Sequence, residues 1–120
     1  MSEPGAGRRL YPFADFPWLT TPGEDRVGMR GKRPVWGDGG FFVQHVEMEP
    51  GHVVKAHSHS HAELFVVLSG GATFDDGAAV TAGDTAVIDA NTVYAFTVGT
   101  DGMHFLIVRG ADAVNTRANG

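Results

Sequence analysis

The chain predicts an all-β fold, a barrel or sandwich of short antiparallel strands. Three observations carry this. Seventeen glycines and six prolines among 120 residues require frequent turns. The apolar residues come in runs of about four to eight, closed by Gly, Asp or Asn, which is strand punctuation. No stretch sustains the 3.6-residue apolar spacing of an amphipathic helix. This length makes one domain with one core.

Taken in order, residues 1–9 are rich in Gly, Pro and Arg and are expected to be disordered. Leu10 to Leu19 reads LYPFADFPWL. Pro12 and Pro17 keep it out of a central strand, so it is extended or an edge strand. It either covers its own barrel or lies across a neighbouring subunit. The expectation leans to a dimer interface, because so apolar a segment is rarely left bare. Thr20 to Lys32 shows no clear element, and Arg26, Arg30, Lys32 and Arg33 read as a solvated face rather than an anion site, with contact to a substrate carboxylate as the alternative. Strands are expected at 34–36, 41–48, 52–57, 63–68, 72–74, 78–80, 85–88, 94–98 and 103–108. Asp75-Asp76-Gly77 and Thr100-Asp101-Gly102 read as hairpin turns, since Asp-Gly tolerates the positive φ such turns demand. The tail, 111–120, is small and polar and is expected to be flexible. A single domain is therefore expected over 10–110.

Composition narrows the function. Nine basic residues against fourteen acidic give a formal charge of −5, which argues against a nucleic-acid footprint. There is no cysteine, hence neither a disulfide frame nor a thiolate metal site. No apolar run approaches membrane-spanning length, and MSEPGAGRRL lacks the apolar core of a leader. The expectation is a soluble, cytoplasmic protein without a nucleic-acid or membrane partner.

The most informative stretch is GHVVKAHSHSHAELFVVLSG, from Gly51 to Gly70. His57 and His59 share one face of a strand, about 6–7 Å apart at Cα, close enough to reach one ion. Glu63 lies roughly 13 Å from His59 along a straight strand. It joins the pair only if the chain bends at Ser60–Ala62 and LFVVL returns. The spacing then predicts a metal clamp with a ligand from each arm. Imidazole and carboxylate suit Fe, Mn, Ni, Cu or Zn.

These residues resemble the first motif of the cupin superfamily, G-x5-H-x-H-x3-E-x6-G, with Gly51, His57, His59, Glu63 and Gly70 in register. The second motif, G-x5-P-x-G-x2-H-x3-N, falls on Gly83 to Val98. There Gly83 matches, but Asp89, Asn91, Tyr94 and Val98 stand where the motif has Pro, Gly, His and Asn. The resemblance covers about 40–108 and implies that this stretch is a cupin-type jelly-roll β-barrel of antiparallel strands. It also implies one divalent transition metal, with His57, His59 and Glu63 as ligands and the last histidine replaced.

Alternation then sorts the other polar groups. Glu47 and Glu49 prefer water, so Val46, Met48 and Gln44 point inward and His45 outward. An inward Gln44 is either a satisfied core amide or a donor to substrate. Tyr94 can ligate ferric iron but is a poor ligand for most divalent ions unless ionised; otherwise it is a packed tyrosine with its hydroxyl paired, a donor to substrate, or a general acid–base group. His104, in MHFLIV, is the other group able to restore a fourth ligand if it faces inward. His61 is placed in the bend and His52 at the surface.

The resemblance implies a metal-dependent small-molecule enzyme, foremost a non-haem dioxygenase-like oxidoreductase. The same site with another metal would serve an isomerase, cyclase or decarboxylase. A metal-free enzyme pairing His57 or His59 with Tyr94 is a further reading, as is a non-catalytic metal or small-molecule binder. A small-molecule substrate and a homodimer are the expected partners.

Overall fold

A computed structural model of the chain describes residues 7–20 and 27–117. Among the described residues there are eight strands: β1 (Met29–Trp36), β2 (Phe42–Met48), β3 (Val53–His59), β4 (Glu63–Phe74), β5 (Ala79–Thr81), β6 (Thr85–Ile88), β7 (Tyr94–Arg109) and β8 (Asn115–Arg117). All recorded pairings are antiparallel.

Two long strands organise the barrel. β4 lies along one edge of β7 from Leu64↔Val108 to Phe74↔Phe96. The other edge of β7 is shared. Its second half pairs with β2, as in Gln44↔Ile107, and its first half with β3, as in Val54↔Phe96. One half-sheet therefore runs β1–β2–β7–β4–β6, the other β8–β3–β7–β4–β5. They share β4 and β7 and face one another across the core.

The bend between the halves sits at two glycines. Gly70 (φ +70°) and Gly102 (φ +71°) adopt the left-handed conformation that L side chains rarely take. A Cβ on Gly70 would lie 1.9 Å from the carbonyl oxygen of Gly102. The β4–β7 register slips on both sides of this crossing, between Val67 and Ser69 and between Gly70 and Ala72, as bulges do. The sequence reading broke both strands here. Gly70-Gly71 and Asp101-Gly102 bend continuous strands instead. By contrast, Asp75-Asp76-Gly77 does form a turn, with Gly77 at φ +92° and Asp76 Oδ1 accepting from the Ala78 amide.

Alternation fills the interior. Val46 and Met48 on β2, Phe65 and Val67 on β4, and Met103, Phe105 and Ile107 on β7 are buried from one half-sheet. Ala72, Tyr94, Phe96 and Val98 meet them from the other. Each valine, isoleucine, methionine or phenylalanine among them contributes roughly 1.5–3 kcal/mol on full burial.

The outer face of β1, β2 and β7 is covered by the Leu10–Leu19 segment. It carries a 3-10 turn at Phe13–Asp15 and joins β1 through reciprocal Leu19–Gly31 backbone bonds of 2.8 and 2.9 Å. The segment thus packs on its own barrel. β1 begins at Met29, inside a stretch that showed no pattern, and β8 lies in the tail expected to be flexible. Residues 1–6 of the expected disordered N-terminus, Arg26, and residues 118–120 fall outside the described residues; Arg9 is hydrogen-bonded to Asp38. Lys32 departs from the solvated face proposed for it. It is 6% exposed, donates to the Phe13 carbonyl at 3.0 Å and lies 3.7 Å from the Phe13 ring centroid. Among the described residues, no helix is long and apolar enough to cross a membrane.

Candidate functional site

Between the half-sheets lies a cavity of about 470 Å³. Its polar wall includes Gln44, His57, His59, Tyr94 and Arg109, and its apolar floor includes Phe65, Phe96 and Phe105. Gln44 takes the inward place that β2 alternation assigns to it.

The chain does fold back after His59. β3 ends there and β4 opens at Glu63. The two arms are not hydrogen-bonded neighbours, however. They belong to opposite half-sheets, so His57 and His59 approach Glu63 across the interior. The loop before Tyr94 is pinned to the same place, since the Asn91 amide donates to the His59 carbonyl at 2.7 Å. Asn91 has φ +61°, the only positive value at a non-glycine among the described residues. It stands where the second motif has glycine, and asparagine is among the few residues that tolerate that conformation.

Glu63 is the centre of the arrangement. It is 1% exposed. Its Oε1 accepts from the Tyr94 hydroxyl at 2.8 Å and lies 3.3 Å from His59 Nε2. Its Oε2 receives both Nε and Nη2 of Arg109, each at 2.7 Å. Tyr94 Oη is also 3.2 Å from His59 Nε2. The buried carboxylate is therefore answered by a guanidinium. Burial first, then the charge of Glu63 and its hydrogen bond, push the Tyr94 phenol well above its ordinary value of 10. Tyr94 stays protonated, with its proton directed at Glu63.

His57 is buried beside this group. Its Nδ1 lies 2.8 Å from the Lys55 carbonyl oxygen. A carbonyl only accepts, so Nδ1 carries a hydrogen, and in the neutral ring Nε2 holds the lone pair. The His57 and His59 rings meet edge to face with centroids 4.8 Å apart.

His104 lies elsewhere. It faces outward, 2.9 Å from His45 Nδ1 through its Nε2, beneath the Phe13 and Trp18 rings. It is not brought to His57 and cannot complete a ligand set with it. His61 is exposed in the bend, 2.9 Å from Ser60 Oγ. His52 departs from its expected surface position, for its Nε2 is buried without a hydrogen-bond partner. Arg109 was missed in the sequence. The available signal was parity: it continues the inward series Met103, Phe105, Ile107.

A sequence profile described as a cupin domain matches residues 44–109, more than half of the chain. The chain belongs to the cupin family. This cupin resembles several solved structures in fold. The polyketide cyclase RemF from Streptomyces resistomycificus has 16% identity and a TM-score of 0.78, covering 94% of this chain and 86% of its own. A cupin-2 domain protein from Rhodospirillum rubrum has 19% identity and a TM-score of 0.75, covering 93% and 81%. KdgF from a Halomonas species has 14% identity and a TM-score of 0.72, covering 84% and 93%. At these identities the likeness establishes the jelly-roll fold. A comparison with curated proteins finds no match.

Family resemblance implies a metal at His57, His59 and Glu63, and their donor chemistry suits one. Their arrangement does not. Both oxygens of Glu63 are engaged, one of them by a guanidinium that occupies the cation's role. Among the described residues, no three His, Asp or Glu side chains are grouped to hold an ion.

Proposed function

We propose that this cupin is a small-molecule enzyme that works by proton transfer inside its barrel, with no metal on Glu63. The observation that carries the reading is Arg109, whose two N–H groups hold the buried Glu63 oxygen at 2.7 Å. A carboxylate so neutralised is a positioning group. It orients Tyr94 and His59, and these shape the wall of the cavity. His57 is the proposed general base, because the Lys55 carbonyl fixes the tautomer that leaves Nε2 able to accept a proton. Gln44, on the same wall, would orient the substrate through its amide. Isomerisation, cyclisation or decarboxylation of an enolisable compound fits this set, since each turns on moving or holding a proton beside a carbonyl.

The experiment is elemental analysis of the purified protein together with solvent-deuterium exchange into a panel of enolisable carbonyl compounds. Exchange is expected to survive chelation, and His57→Gln is expected to lower it by about 10²–10⁴-fold. A stoichiometric metal whose removal abolishes exchange would refute the reading.

A second reading is a metal-loaded form acting as a dioxygenase-like oxidoreductase, with His57, His59 and a Glu63 turned away from Arg109 as ligands. One observation favours it. A histidine whose Nδ1 donates to a carbonyl presents Nε2 in the way metal-ligating histidines do. The metal would supply Lewis acidity and oxygen binding. Oxygen uptake on adding Fe(II) to the protein and the same panel separates this reading from the first.

A further inference from the structure

We infer that the cavity takes a small organic anion, its acidic group held at the mouth by Arg33 and Lys55 and its apolar body lying on the phenylalanine floor. This deepens the small-molecule reading above by naming the substrate class.

The charge distribution is the starting point. The whole chain is acidic, at −5. The wall of this cavity nonetheless carries Arg33, Lys55 and Arg109 against one carboxylate, Asp112. The charge of Arg109 is answered by Glu63, which is not part of the lining. The surplus therefore rests with Arg33 and Lys55. Both are exposed, and among the described residues neither makes an ion pair.

Arg33 is also set in place. Its guanidinium carbon lies 4.5 Å from the ring centroid of Trp36, which lines the same cavity. Stacking on an aromatic face consumes none of the five N–H groups and leaves the planar fork able to receive a carboxylate through two parallel hydrogen bonds. Below this rim the wall turns apolar at Phe65, Phe96 and Phe105. A cationic mouth over an aromatic floor matches a ligand with a charged end and an apolar end. The cavity's low-dielectric wall focuses the field of the rim and favours entry of anions.

The test is calorimetric binding, at low salt, of benzoate, cinnamate and phenylpyruvate, each against its amide. Acids are expected to bind tighter than their amides. An exposed ion pair is worth up to about fivefold in affinity, so Arg33→Met with Lys55→Met is expected to weaken the acids roughly tenfold and leave the amides unchanged. Added salt is expected to weaken the acids alone. Equal binding of acid and amide, no binding by any acid, or a double variant that binds acids as the parent does overturns the inference. Running the series with and without chelator keeps the two conclusions apart. Metal-dependent turnover would refute the proposed chemistry while leaving a preference for acids intact.

Discussion

The molecule holds two histidine pairs on opposite sides of β7, and their neighbours give them different chemistry. Inside, His57 and His59 meet Glu63, Tyr94 and Arg109. Outside, His45 and His104 sit under the N-terminal segment beside a buried Lys32. The inner pair meets a carboxylate already answered by a guanidinium, and a phenol whose proton is directed at that carboxylate. The outer pair lies beside the Lys32 ammonium, which repels a proton added to His45. Burial first, then His104 and Lys32, lower the His45 pKa from its ordinary 6.5. A short His–His contact by itself thus says little about function. The groups around it decide what it can do.

The largest test of this contrast is Arg109→Met. It strands a carboxylate that is 1% exposed, and breaking a buried ion pair costs about 3–5 kcal/mol. Urea denaturation is expected to show that loss, and a change under 1 kcal/mol would mean that Glu63 has another source of charge compensation. Tyr94→Phe comes next. It removes the 2.8 Å donor to Glu63, and a hydrogen bond to a charged group is worth about 1.5–3 kcal/mol. His59 remains beside Oε1, which places the expected loss at the low end of that range. An unchanged midpoint would show that water replaces the phenol.

The smallest effect belongs to the outer pair. The folded-state pKa of His45 lies below 6.5, so between the two values the unfolded chain binds more protons. Stability from this source is present above pH 6.5 and is lost as the pH falls through the depressed value. His45 is partly solvated, so the loss is under about 1 kcal/mol. His45→Gln is expected to remove that part of the pH–stability profile. Persistence of the slope in the variant would assign it to another group.

Much of this was written in local patterns. The parity of β2 placed Gln44, Val46 and Met48 inward because Glu47 and Glu49 need water. The short run after Ser60 brought Glu63 back toward His59, since a straight strand could not. Other features depend on residues far apart in the chain. Arg109 looks like the polar end of an apolar strand until Glu63, 46 positions away, is set opposite it. Lys32 looks solvated until Phe13 and Trp18 cover it. A hairpin turn is expected at Gly102 and a strand end before Gly70, because glycine signals a positive φ without saying whether the chain reverses or merely changes sheet. Asn91 is the converse case: a departure from the family motif that keeps the backbone conformation the motif needs.

The shape of β7 has a kinetic consequence. Sixteen extended residues span about 50 Å, yet Tyr94 and Arg109, the two ends of that strand, touch the same carboxylate. Closing those contacts joins positions 31 and 46 apart in sequence, and such distant closures slow folding. The clasp ties residues of both half-sheets together, so the binding chamber is complete only once they have docked. A ligand that occupies it would act as a pharmacological chaperone, drawing the equilibrium toward the closed barrel by mass action alone.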